Sequence, residues 1–143
     1  MIEIILIAGL PGSGKTHLGK RLSGERGYPF IDDASKTLGT DRQGALEKLR
    51  RMGIGNGLII ADPLLCMKHN IANAKSLLKE AFSESKITVI CFENDPVACL
   101  KNVQARNDGR VVTGLIADLS RQWRPEEIEG CDLRRVYSSP HED

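Results

Sequence analysis

Short apolar runs alternate with segments of helical spacing along this chain. Ile2 to Ala8 is apolar at every position but Glu3 and stops at Gly9, the pattern of a strand buried on both faces. Leu18 and Leu22, four apart, predict a short helix after a glycine loop, and Tyr28 to Ile31 predicts a second strand closed by Asp32-Asp33. Thr40 and Gln43 have capping-box spacing ahead of Ala45, Leu46, Leu49 and Met52 on one helical face; Gly53 to Gly57 ends that helix. Leu58 to Ala61 predicts a third strand, stopping at Asp62-Pro63. Met67, Ile71, Ala74, Leu78 and Ala81 recur in steps of four and three, an amphipathic helix. Ile87 to Phe92 predicts a fourth strand, and Asp95-Pro96 opens a helix carrying Leu100 and Val103. After a break at Asp108-Gly109, Thr113 starts a last helix with Ile116, Leu119 and Trp123 on one face, ended by Pro125. An acidic segment follows, then a candidate fifth strand from Leu133 to Tyr137. Strands alternating with helices predict an α/β fold: a parallel sheet with helices on both faces.

The 143 residues make one domain, 1–143, and the 41% hydrophobic and 27% charged content suffices for a buried core. Lys and Arg number 20 against 19 Asp and Glu, so the net +1 excludes a general basic field and leaves only local patches for nucleic acid. No apolar run approaches the roughly 18–20 residues of a membrane span, and the start carries no basic leader-like segment, so no membrane partner and no signal peptide are expected. Cys66, Cys91, Cys99 and Cys131 have no zinc-site spacing and read as the reduced thiols of a cytoplasmic protein.

The chemistry concentrates after the first strand. Gly9-Leu-Pro-Gly12-Ser13-Gly14-Lys15-Thr16 matches G-x-x-x-x-G-K-S/T between a predicted strand and a predicted helix, which makes it an expected phosphate-binding loop. Its glycines let main-chain N–H groups turn inward around phosphate oxygens, and the helix N-terminus adds positive potential. Lys15 is the candidate charge for the β- and γ-phosphates of ATP, and the Thr16 hydroxyl the candidate Mg²⁺ ligand. Asp62, at the end of the third strand, is a second candidate Mg²⁺ group, though Asp-Pro is also an ordinary turn signal. Asp32 and Asp33 end the second strand on the side where such sheets bind ligands, and one of them is a candidate general base. From Lys101 to Arg124 five cations (Lys101, Arg106, Arg110, Arg121, Arg124) face two acids, Asp108 and Asp118. Arg106 and Arg110 flank the glycine break, and a loop bearing them, about residues 104–116, is a candidate lid over a triphosphate. His17, His69, His141 and Lys36 read as surface residues, and Trp123 as core.

Taken together, these residues resemble the small P-loop kinases of the polynucleotide-kinase type. The run Ile4 to Thr16 resembles that family's first strand and loop, Tyr28 to Asp33 its second strand and acidic pair, and Leu58 to Asp62 its next apolar strand. Phe92 to Trp123 is the most specific stretch: its Phe-acid-x-x-Pro opening, its Arg106-Asn107-x-x-Arg110 core and its Leu119-x-Arg121-x-Trp123 close resemble the fourth strand, lid arginines and lid helix. The resemblance spans roughly residues 1–125. It implies a P-loop NTPase-type, kinase-like fold with an arginine lid, and an ATP- and Mg²⁺-dependent phosphotransferase acting on a hydroxyl. It implies Asp32 as base, Lys15 and Thr16 at ATP and Mg²⁺, and Arg106 with Arg110 in the lid. The acceptor it implies is a polynucleotide 5′-hydroxyl or another nucleotide-linked hydroxyl, in the cytoplasm of the organism or, for a phage gene, of its host. This chain differs on the acceptor side. Ser35 stands where the family often has an arginine three residues after the base, with Lys36 next to it, and Pro63-Leu64 replaces a frequent Thr-Asn. A small-molecule kinase and a nucleotide-binding regulatory module are the two alternatives.

Overall fold

The computed structural model describes residues 1–106 and 111–137. Five strands, β1 (Ile2–Ala8), β2 (Phe30–Ile31), β3 (Gly57–Ala61), β4 (Ser85–Phe92) and β5 (Asp132–Arg134), pair in the order β2-β3-β1-β4-β5. All four pairings are parallel. β1 is the centre: Ile4 lies opposite Leu58 on one side and Ile87 on the other. Side chains alternate across the sheet. Ile4, Leu6 and Ala8 point into the larger core, while Ile5 and Ile7 point into the smaller one. A strand buried on both faces has no use for polar positions, which is why its sequence reads as one apolar run.

The helices are α1 (Lys15–Arg26), α2 (Ala34–Leu38), α3 (Arg42–Arg51), α4 (Asn70–Ala81), α5 (Pro96–Arg106) and α6 (Thr113–Ser120). Leu18 and Leu22 of α1 cover one face of the sheet against Ile5, Ile7, Ile59 and Ile90. Residues of the other five helices pack on the opposite face, with Leu49, Ile71, Leu78, Cys99, Val103, Ile116 and Leu119 in the larger core. Each such aliphatic side chain contributes about 1.5–3 kcal/mol by burial. Among the described residues no helix is long and apolar enough to cross a membrane.

Several boundaries differ from the sequence expectation, each for a local reason. Asp41, not Thr40, caps α3: its carboxylate accepts from the Gly44 amide at 3.0 Å, and a carboxylate is the better N-terminal acceptor. β2 keeps only Phe30 and Ile31, because Tyr28 turns its ring onto Gly57 and donates its hydroxyl to Glu3 at 3.0 Å. The five-residue α2 was not expected; one turn carries too few apolar positions to show a period. A 3-10 turn, Pro63–Cys66, precedes α4. α6 ends at Ser120, short of Pro125; Trp123 lies beyond it but is buried, with its indole N–H donating to the Phe92 carbonyl at 3.0 Å. β5 spans 132–134 instead of 133–137, and the residues after it leave the sheet for the loop between β1 and α1.

Candidate functional site

The loop from β1 to α1 turns at Gly12 and Gly14, whose φ angles of 86° and 113° lie in the left-handed region that side chains disfavour. A Cβ on Gly12 would sit 2.4 Å from the Cys99 carbonyl oxygen, and one on Gly14 would sit 2.7 Å from Tyr137 Cβ. Both positions therefore require glycine on two grounds, conformation and space. The first-turn amides of α1 that follow have no carbonyl four residues back within the helix, so they are available to a ligand. The loop walls a cavity of about 490 Å³ whose other lining includes Lys15, Thr16, Asp32, Asp33, Arg106 and Tyr137.

Lys15 is 7% exposed, and its ammonium donates to the Leu10 carbonyl at 2.9 Å. Burial pulls its pKa below the usual lysine value, while the negative charges of Asp32 and Asp33 oppose that shift. The thiols of Cys66 and Cys99, close enough to Lys15 to act on it electrostatically, are each pushed up to about 12 by burial and stay protonated at neutral pH. The Thr16 hydroxyl donates to Asp32 Oδ2 at 2.7 Å, and Asp32 Oδ1 accepts the Asp33 amide at 3.0 Å. Asp33 itself holds φ 47°, a left-handed conformation that Asp tolerates better than most residues.

The structure thus brings five candidates, Gly12, Gly14, Lys15, Thr16 and Asp32, to one cavity, with Arg106 at its edge from the end of α5. Gly9 and Ser13 are buried in the loop behind it, and the Ser13 hydroxyl has no hydrogen-bond partner among the described residues. Asp62 is placed differently. It is 4% exposed, and its oxygens accept from the amides of Ser35 at 2.5 Å and Leu64 at 2.7 Å. It caps the 3-10 turn and braces the start of α2, and it is Asp32 that reaches Thr16. Arg110 and the Asp108-Gly109 break lie outside the described residues. Among those residues no three His, Cys, Asp or Glu side chains converge as a metal site.

A protein of Acanthamoeba polyphaga mimivirus, uncharacterized protein R277, is 35% identical over 111 residues, 76% of this chain and 75% of the viral protein. The chain belongs to the R277 family. No family model matches it. Among solved structures, Kti12 of Chaetomium thermophilum, in complex with ADP-AlF3, superposes with a TM-score of 0.68 at 16% identity, over 96% of this chain and 92% of Kti12. A gluconokinase of Sinorhizobium meliloti 1021 superposes with a TM-score of 0.66 at 17% identity, over 98% of this chain and 86% of the enzyme. The fold of this R277 relative is accordingly that of the P-loop kinases: an all-parallel five-stranded sheet flanked by helices.

Two residues of this site escaped the sequence reading. Asn102, 4% exposed on α5, donates to the Gly12 carbonyl at 2.9 Å and to the Tyr137 carbonyl. Its signal was available: it sits three residues after Cys99 and beside Val103, a polar residue on an apolar helical face. Tyr137 follows β5, and its ring lies 5.3 Å from that of His17, tilted by 34°. Nothing near Tyr137 in the sequence points to Ser13, 124 residues earlier.

Proposed function

We propose that this chain is an ATP-dependent phosphotransferase, a single kinase domain that moves the γ-phosphate of ATP to a hydroxyl acceptor. The observation that carries the reading is one cavity holding the left-handed glycines, the buried Lys15 and the Thr16–Asp32 pair. Loop amides and the α1 N-terminus suit the phosphates, and Lys15 has only to exchange the Leu10 carbonyl for a phosphate oxygen. The Thr16 hydroxyl oxygen is the hard donor that would hold Mg²⁺, while its proton stays hydrogen-bonded to Asp32, which keeps that carboxylate off the metal and available as base. Bound there, Mg²⁺ would neutralise phosphate charge. Asp62, with both oxygens on backbone amides, serves instead to fix the turn that carries Asp32 and Asp33. The rings of His17 and Tyr137 line the same cavity and offer faces on which the base can stack.

In the transfer, Asp32 takes the proton from the acceptor hydroxyl as that oxygen attacks the γ-phosphorus in line. The bond from the γ-phosphorus to the bridging oxygen breaks, and ADP carries that oxygen away. Lys15, the loop amides, Arg106 and Arg110 bear the developing charge. The acceptor is a polynucleotide 5′-hydroxyl or another nucleotide-linked hydroxyl. A second reading, a small neutral acceptor, is favoured by Ser35, whose amide is engaged with Asp62, and by Lys36, which is exposed and outside the cavity lining.

Radiolabelled γ-phosphate transfer to a panel of oligonucleotides, nucleotides, nucleosides and neutral polyols tests the proposal. Label in an oligonucleotide, with an acceptor affinity falling steeply with salt, supports the first acceptor class. Label in a polyol or nucleoside without that salt dependence supports the second. Firm ATP binding with no transfer to any acceptor would overturn the enzyme reading in favour of a regulatory module.

A further inference from the structure

The phosphate loop is held from outside by parts of the chain remote from it. The Asn102 side-chain amide donates there to the Gly12 carbonyl and to the Tyr137 carbonyl. Tyr137 in turn donates its main-chain N–H to the Ser13 carbonyl at 2.9 Å. The preceding amide, Val136, donates to the Glu93 carboxylate at 3.2 Å, and the Glu93 amide donates to the Arg134 carbonyl at 2.8 Å. The segment after β5 is therefore stitched to the end of β4, to α5 and to the loop at once.

These bonds have a directional consequence. A peptide unit is planar and trans, so a carbonyl and the following N–H point in opposite directions. Holding the Ser13 carbonyl on the Tyr137 N–H turns the Gly14 N–H in the opposite direction, away from that strap. Holding the Gly12 carbonyl on Asn102 fixes the preceding plane, whose N–H, that of Ser13, donates to the Leu10 carbonyl at 3.1 Å. A glycine-rich loop has little intrinsic preference for one arrangement of these planes, because glycine loses more conformational freedom on ordering than any other residue.

We propose that Asn102 and the Val136–Tyr137 strap form a clamp that orients the two central peptide planes of the phosphate loop, which makes Asn102 a positioning residue for the donor's phosphates. The clamp pre-orders a loop that would otherwise be ordered at the expense of binding. This rests on the donor-site reading above, and the test separates the two.

The test uses the full chain and inorganic tripolyphosphate, which reports on the loop without the base. Binding is measured by calorimetry, with the native fraction taken from circular dichroism. Asn102→Leu keeps the branched shape and removes both donations, and Tyr137→Pro removes the N–H that reaches Ser13. Each is expected to bind tripolyphosphate about tenfold or more weakly per folded molecule. A residue that served stability alone would lower the unfolding temperature and leave the affinity of the folded molecules unchanged. Should Asn102→Leu not fold, Tyr137→Pro, at a partly exposed position, decides. Folded variants that bind within about twofold of the parent overturn the clamp, and a loss in Tyr137→Pro beside a folded Asn102→Leu of parental affinity overturns the role of Asn102. A parent chain that binds neither tripolyphosphate nor ATP overturns the donor-site reading itself.

Discussion

The phosphate loop and the strap that braces it come from opposite ends of the chain, and they are built by different means. The loop is local: eight consecutive residues, Gly9 to Thr16, between a strand paired on both sides and the helix it feeds. The strap is long-range. β5 is an edge strand of three residues with Leu133 54% exposed, and Asn102 lies 90 positions from the glycine it holds. The ligand-binding groups are thus compact in sequence, while the restraint on their geometry depends on the tertiary fold. A loop of this composition would bind phosphate poorly as a peptide, since a single main-chain bond among the described residues, from the Ser13 N–H to the Leu10 carbonyl, restrains its planes from within.

The largest expected effect breaks the chemical side alone. Asp32→Asn should lower turnover by about 10²–10⁴ while ATP affinity changes little, measured by steady-state transfer beside a binding titration. If Asp33→Asn does this instead, the base is the residue in the left-handed conformation. Next is the cradle: Lys15→Ala should lower transfer by about 10²–10³ and leave the circular dichroism spectrum unchanged. Turnover equal to the parent's would remove Lys15 from the donor site.

Asp62→Ala sharpens the distinction between site and scaffold. It strands two partly buried amides, and each hydrogen bond to a charged group is worth about 1.5–3 kcal/mol. The expected result is a urea midpoint lowered by a matching amount, with or without Mg²⁺. A variant of parental stability whose Mg²⁺ requirement alone rises would return Asp62 to the metal. The smallest effect is on pH. Cys66 and Cys99 titrate in the folded chain at about 12 against an ordinary 9.0. Folded thiols keep protons that the unfolded chain releases above that ordinary value, so their contribution is complete below pH 9.0 and is lost as pH rises toward 12. Each thiol costs up to about 1.4 kcal/mol per pH unit in that range. Lys15, with a lowered pKa, acts in the opposite sense below its ordinary 10.5, one group against these two and against Cys91, whose thiol burial also pushes up. Urea midpoints should therefore fall between pH about 9 and about 11, and less so in Cys66→Ala; a midpoint that rises would contradict the burial of these thiols beside Lys15.

What the sequence disclosed follows the same division. β1, β3 and β4 were legible because strands buried in a parallel sheet are continuous apolar runs, and the order of strand, loop and helix made the phosphate loop readable before any coordinate. Asp32 was readable as a carboxylate at a strand end, but its hydrogen bond to Thr16 was not, because it depends on how β2 lies in the sheet. Asp62 carried a signal that fits two roles, turn and metal, and only the positions of Ser35 and Leu64 show how its oxygens are used. α2 was too short to display a period. The clamp was hardest: Asn102 left a polar residue on an apolar helical face, a visible anomaly, whereas Tyr137 acts mainly through its backbone, which any residue but proline supplies.

Calorimetric titration of the full chain with MgATP tests the central claim most directly. The account predicts one ATP per chain, with an affinity about tenfold or more weaker in Lys15→Ala. A folded parent chain that takes up no ATP, or a Lys15→Ala variant that binds it equally well, would contradict the claim that this loop grips a triphosphate.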